Sequence, residues 1–167
     1  MITAYTSPSE FQRDPHRAQD LTMQAAEILH DDPARAENLL REALAADLHH
    51  GPAHNNLGVL WLTQGKYYEA ANEFEWARKL MPGHPDPRMN LALTLERAGR
   101  TDEALAAYES ALEVYPGHLP TLQGMTRLQI RNGRTDDRVE AHLREIALRG
   151  ESEEWRAWAQ RQSARGR

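Results

Sequence analysis

Three histidines lie close together within the first third of the chain, and imidazole nitrogens at short spacing are common ligands of zinc. They are His49, His50 and His54. His50 and His54 are four residues apart, a spacing that places two rings on one face of a single helix. The intervening Gly51-Pro52 interrupts such a helix, so we expect no metal site here.

Catalytic chemistry has no recognisable arrangement in this sequence. It contains no glycine-rich phosphate loop, no HExxH metal motif and no GxSxG nucleophile motif. The carboxylates are spread along the chain with no evident convergence. We therefore predict a protein that is not an enzyme and that has no catalytic residues, no metal and no cofactor.

Composition excludes several classes of protein. The 167 residues include no cysteine, so disulfides and thiolate metal sites are ruled out, and the net charge of -5 argues against a nucleic-acid partner. No apolar run approaches the roughly 18 residues of a membrane span. We expect a soluble protein without membrane insertion. Its composition favours the cytoplasm, and a periplasmic location stays open if a signal has been removed.

Positive charge is concentrated towards the C-terminus. Residues 1–126 contain 10 Lys and Arg against 18 Asp and Glu, whereas residues 127–167 contain 10, all arginine, against 7. A basic end of this kind is either a solvated outer face with arginines at helix ends or a docking surface.

The elements that position these side chains recur every 34 residues. The glycines at 65, 99 and 133 keep this spacing, and so do Leu57, Leu91 and Met125, the pairs Ala70/Ala104 and Ala77/Ala111, and the tripeptides at 82–84 and 116–118. Self-similarity at this period is typical of stacked helical hairpins. The pattern predicts an all-α solenoid of about four hairpins.

The period also predicts the boundaries of the units. We expect a flexible tail over residues 1–14, a helical domain over 15–163 with repeats at about 17–50, 51–84, 85–118 and 119–149 and a capping helix at 151–163, and a frayed end at 164–167. In the last repeat Arg138 replaces a small alanine, and Val139, Leu143 and Ile146 indicate an apolar stripe that has slipped by one residue.

Residues 51–84 form the best-preserved unit. It carries Leu57-Gly58, Trp61, Gly65, Tyr67, Ala70, Phe74, Ala77 and Pro82. Together these residues resemble a tetratricopeptide repeat (TPR), and the resemblance covers about residues 17–149. It implies a right-handed α-solenoid whose first helices line a concave groove, and a role in binding peptides or proteins.

The resemblance also implies which side chains face this groove. Counting from Gly51, the sixth place of the unit holds Asn56 and, one unit later, Asn90; in some TPR proteins asparagines here bond the backbone of an extended peptide, because an amide both donates and accepts. The alternative for these asparagines is packing or hydrogen bonding between adjacent first helices. The predicted groove residues are Asn55, Asn56, Val59, Thr63, Met89, Asn90, Leu93, Arg97, Arg127 and Arg131.

The wall formed by these residues is neutral at one end and basic at the other. We hypothesise a protein or peptide ligand with an acidic portion that meets Arg97, Arg127 and Arg131, since guanidinium groups fork onto carboxylates. Some TPR proteins clamp the terminal carboxylate of a chaperone with lysines and asparagines. That clamp is absent, because its places hold Leu21, Ala25 and Asp86.

The sequence thus predicts a protein-interaction module or assembly adaptor. Two other roles stay open. In the first, the chain is a structural or self-associating scaffold, and Trp155 and Trp158 bind a partner instead of covering the end of the stack. In the second, the chain is the recognition arm of a secretion, pilus or glycosyltransferase system. The sequence leaves the partner and the oligomeric state open.

Overall fold

Nine α-helices follow one another in the computed structural model, which describes residues 13–165, and no strand occurs within that range. They are α1 (Pro15–Ile28), α2 (Pro33–Ala46), α3 (Gly51–Thr63), α4 (Tyr67–Leu80), α5 (Asp86–Arg97), α6 (Thr101–Val114), α7 (Leu119–Arg131), α8 (Asp137–Arg149) and α9 (Glu153–Arg165). Most of the predicted tail and the last two residues of the predicted frayed end lie outside the described residues. The all-α solenoid expected from the period is the observed fold.

Helix ends are set by side chains and glycines with definite backbone requirements. Asp14 and Asp32 accept backbone N–H groups at the starts of α1 and α2, each followed by a proline. Gly65, Gly99 and Gly133 end α3, α5 and α7 with φ of 75°, 78° and 74°. Only glycine adopts this left-handed conformation without strain, which explains why it recurs at each hairpin turn.

The stack curves because its two kinds of helix pack differently. Each first helix of a hairpin (α1, α3, α5) contacts the first helix of the next, whereas no contact of similar extent joins successive second helices among the described residues. The second helices are therefore further apart, and the first helices line the concave side. We call the concave surface of α3, α5 and α7 the groove.

Aromatic rings fill the core between hairpins. Phe74 of α4 is fully buried and belongs to a cluster that includes Leu91 and Leu95 of the next unit. A Cβ added at Gly58 would lie 2.7 Å from Cε1 of Phe74, so the ring occupies space that a side chain on α3 would need. The missing side chain at Gly58 thus lets α3 and α4 approach closely.

The last hairpin departs from the others in register. Arg138 is exposed while Val139, Leu143 and Ile146 are buried, which confirms the predicted slip of the apolar stripe. The helix α8 begins at Asp137. The side chain of Asp136, which precedes the helix, accepts a hydrogen bond from the Val139 backbone N–H.

The last helix covers this hairpin. Ala159 of α9 is fully buried in the same cluster as Leu143 and Ile146, and Trp155 and Trp158 pack against it. The two indole rings meet edge to face with their centroids 5.2 Å apart. The helix begins at Glu153, two residues later than predicted. None of the described helices is long and apolar enough to cross a membrane.

His54, a member of the histidine cluster, lies in the core of the second hairpin. Its Nδ1 is 2.6 Å from the Glu73 carboxylate and its Nε2 is 2.9 Å from the Leu48 carbonyl oxygen, and the ring stacks on Trp76. A carboxylate and a carbonyl only accept, so the two ring nitrogens donate at the same time only when the ring is protonated. Burial lowers the pKa of His54, but the bonds to Glu73 and Leu48 raise it more, and the pKa lies above its ordinary value.

Replacing Phe74 by alanine should destabilise the protein by about 3 to 5 kcal/mol, because a cavity would remain between two hairpins. The free energy of unfolding, measured by urea denaturation, checks this. Tyr68→Ala on the same helix is the matched control, since Tyr68 is 78% exposed. Equal losses for the two variants would contradict the assigned packing.

His54 should make the protein less stable as the pH rises above 6.5. Its pKa is raised in the folded state, so its contribution is complete below the unfolded value of 6.5 and disappears as the pH passes the folded value. Burial lowers the pKa of His50 and of His142, so these two rings affect stability only below 6.5.

The free energy of unfolding at pH 6.5 and at pH 9 measures this effect. The wild type should lose stability between the two values, and His54→Gln should show little change. His30→Gln, at an exposed position, should behave like the wild type. A pH dependence that persists in His54→Gln would assign it to another group.

Candidate functional site

The ten predicted groove residues all lie on α3, α5 and α7. Seven are half-buried and three are exposed. The half-buried ones are Asn55, Asn56, Val59, Met89, Asn90, Leu93 and Arg127, and the exposed ones are Thr63, Arg97 and Arg131. Val59 and Met89 also pack against the core, and the Thr63 hydroxyl donates to the Leu60 carbonyl of its own helix.

An amide row joins two neighbouring first helices. The Asn90 Nδ2 donates to the Asn55 Oδ1 at 3.1 Å, and the Asn55 Nδ2 donates to the Asn56 Oδ1 at 3.5 Å. The equivalent residues Asn56 and Asn90 are therefore linked through Asn55, which is the hydrogen bonding between adjacent first helices that the sequence left open. Each amide has two donors and two acceptor sites, so these bonds use only part of its capacity.

A buried carboxylate anchors the basic end of the groove. The Glu96 side chain is only 4% exposed, and its Oε1 lies 3.3 Å from the Arg127 Nη2 and 3.2 Å from the Arg131 Nη1. The Tyr108 hydroxyl donates to the Glu96 Oε2 at 3.1 Å. Two arginines of α7 and one tyrosine of α6 thus neutralise and orient a single carboxylate of α5. We call Arg127, Glu96 and Arg131 the triad.

Tyr108 connects the triad to the core. Burial is the main reason that its pKa lies far above the ordinary value, and the Glu96 charge adds to the effect, so the hydroxyl stays protonated and donates. A Cβ at Gly124 would lie 2.8 Å from that hydroxyl oxygen. Gly124 occupies the place of Asn56 and Asn90 in the fourth unit, and its missing side chain makes room for the ring.

Two of the three predicted arginines also have a partner within the protein. Arg127 and Arg131 pair with Glu96, a contact that was not predicted from the sequence. Both side chains are still substantially exposed, at 43% and 58%. A guanidinium has five N–H donors, so outer edges remain for an anion above the triad.

Sequence reasoning missed Glu96 and Tyr108. The sequence does mark Glu96 as unusual, because the equivalent position in the other units is apolar and holds Ile28, Leu62 and Ile130. A carboxylate within an otherwise apolar column must find charged or hydrogen-bonding partners.

No group of three or more His, Asp or Glu side chains in residues 13–165 is arranged to hold a metal ion.

Comparison with known families explains the repeating hairpins. One tetratricopeptide repeat model matches residues 30–74 and 62–118, and a second matches residues 95–157. A comparison with curated proteins finds no significant match.

Solved structures share the fold at low sequence identity. The first TPR domain of Spaghetti (RPAP3), bound to the HSP90 peptide SRMEEVD, is 14% identical with a TM-score of 0.68, and the match covers 74% of this chain and 99% of that one. MamA is 18% identical with a TM-score of 0.66, covering 91% and 83%. A Thermobaculum terrenum O-GlcNAc transferase is 23% identical with a TM-score of 0.71, covering 90% of this chain but only 27% of the transferase.

The first family match alone extends over residues 30–118, which are 89 of the 167 residues. It includes two of the three glycine turns and the aromatic core of the second and third hairpins. The chain therefore belongs to the tetratricopeptide repeat family.

Proposed function

We propose that this protein is a protein-interaction module or adaptor that binds an extended segment of a partner protein in its concave groove. The observation that carries the proposal is the half-buried amide row of Asn55, Asn56 and Asn90, which crosses from α3 to α5. Amides in such a row offer donors and acceptors to a strand-like backbone whatever its side chains are. The first TPR domain of Spaghetti (RPAP3), which shares the fold, is bound to the HSP90 peptide SRMEEVD, and this supports a peptide ligand.

The acidic portion of the ligand belongs at the α7 end of the groove. Arg97, Arg127 and Arg131 carry three positive charges, and Glu96 offsets only one of them. The surplus attracts a carboxylate, and the arginines are held in place by Glu96 instead of moving freely, which lowers the entropy lost on binding.

The packing of α9 favours the groove over self-association as the main interaction surface. Trp155 and Trp158 lie against the cluster of Leu122, Leu143 and Ile146, so much of their apolar area is used within the chain. Both rings are half-buried instead of protruding. A scaffold role based on exposed tryptophans would need more free aromatic surface.

Replacing Asn56 and Asn90 together by alanine should weaken peptide binding by about tenfold, because two hydrogen-bonding groups to the ligand backbone are lost. The probe is a fluorescein-labelled dodecapeptide selected from a random phage-displayed library on the full chain, and anisotropy measures its affinity. The control is Asn38→Ala with Asn72→Ala, since both asparagines are exposed on second helices. Selected peptides that bind both variants equally would contradict groove binding.

The arginines must be tested together with Glu96. Changing Arg127 and Arg131 to glutamine should destabilise the protein on the order of 3 kcal/mol, because the Glu96 charge loses its partners. Adding Glu96→Gln should restore most of that stability. Urea denaturation of the double and triple variants measures both effects.

The triple variant then isolates ligand recognition from folding. It should bind acidic selected peptides about tenfold more weakly than the wild type, while Arg35→Gln with Arg144→Gln, at exposed positions on α2 and α8, should leave the affinity unchanged. Full affinity in a well-folded triple variant would show that the acidic portion binds elsewhere.

A further inference from the structure

An open pocket of about 660 Å³ lies between α7 and α9, next to the basic end of the groove. Trp155, Ala157 and Trp158 of α9 line it, and Arg127 is its lining residue on α7. The two indoles are held by the cluster beneath them and by their edge-to-face contact, so they form a fixed aromatic surface. The pocket is therefore preformed.

The lining of the pocket combines charged and aromatic side chains. Glu153, Glu154 and Arg161 of α9 contribute to it, and the charge of Arg127 is already shared with Glu96. The indole rings of Trp155 and Trp158 supply its apolar surface. An apolar side chain that packs against these rings leaves the water, so the pocket suits a large apolar group.

Arg127 belongs to both the triad and the pocket, which makes the two sites neighbours. Along the stack the order is the amide row on α3 and α5, the triad on α5 and α7, and the pocket between α7 and α9. In an extended chain, residues i and i+2 point to the same side and lie roughly 7 Å apart. Two sites that share Arg127 suit alternate side chains of one extended segment.

From this arrangement we infer that the groove recognises an internal segment of a partner protein with an acidic residue and a large apolar residue two positions apart. The acidic side chain lies on the outer edges of Arg127 and Arg131, and the apolar side chain enters the pocket against Trp158. The inference rests on the proposed function, since it assumes that an extended peptide occupies the groove.

The order of the three sites indicates that the acid is a side chain and not the end of the partner. A segment that uses the amide row, the triad and the pocket passes over the triad in mid-course. The acidic group is therefore flanked by backbone on both sides. A partner that offered only its terminal carboxylate would leave either the row or the pocket empty.

Peptide variants test the two-residue determinant. The probe is the tightest selected dodecapeptide, fluorescein-labelled and with an amidated C-terminus. Changing its acidic residue to the corresponding amide should weaken binding to the wild type about tenfold, and changing the apolar residue two positions away to alanine should do the same. Selected peptides without this pair of residues, or a requirement for a free C-terminal carboxylate, would overturn the inference.

A protein variant that fills the pocket completes the test. Ala157→Phe should weaken binding of the parent peptide about tenfold but should hardly affect the peptide whose apolar residue is already alanine. Ala157→Leu is a smaller filler that serves if the phenylalanine variant melts early by circular dichroism. Ala164→Phe, at an exposed position of the same helix, is the matched control.

The outcomes separate this inference from the proposed function. If the Asn56, Asn90 double variant loses affinity but filling the pocket does not change it, the peptide occupies the groove and the pocket assignment is wrong. If neither change affects the affinity, both the groove and the pocket are wrong. Loss in both cases supports the two together.

Discussion

The architecture depends on aromatic rings that pack against helix positions without a side chain. Phe74 lies against Gly58, and Tyr108 lies against Gly124, in each case closer than a Cβ would permit. Close approach at these points sets the spacing of α3 against α4 and of α6 against α7, because a larger residue would push these helices apart. The concave groove follows from a second feature: successive first helices contact one another, whereas successive second helices have no contact of similar extent among residues 13–165.

The same packing produces the chemistry of the groove. Tyr108 reaches Glu96 only because Gly124 leaves space for its ring, and the hydroxyl then holds the carboxylate on which Arg127 and Arg131 rest. The position that holds asparagine in the second and third units thus holds glycine in the fourth, where it serves the packing of the core. The surface changes at this point from amides to guanidinium groups, so one groove offers a neutral and a cationic half.

The burial of Glu96 also holds the two arginines of the triad in place. A carboxylate that is 4% exposed loses its hydration, and the loss is tolerated because two guanidinium groups and a hydroxyl replace the water. The arginines in turn are fixed at the surface of α7. Side chains that are held in this way recognise a ligand with less loss of conformational entropy than free arginines would.

Much of the fold could be predicted from local features. The turns at Gly65, Gly99 and Gly133 need a positive φ, and the small and aromatic residues keep their positions from one unit to the next. The repeat period was therefore enough to predict the fold. The slipped stripe at Val139 was also visible, because burial follows helical phase. The helical phase of Asn56 and Asn90 likewise put the groove residues on first helices.

By itself the sequence determined the repeat, its hairpins and the helices that carry the polar residues, since each of these depends on spacing along one chain. Only the tertiary structure decided that Asn90 bonds Asn55 and that Arg127 and Arg131 share Glu96. Such pairings depend on how far one helix is rotated and shifted against the next. Packing across the whole core sets that offset, and no short stretch of residues records it.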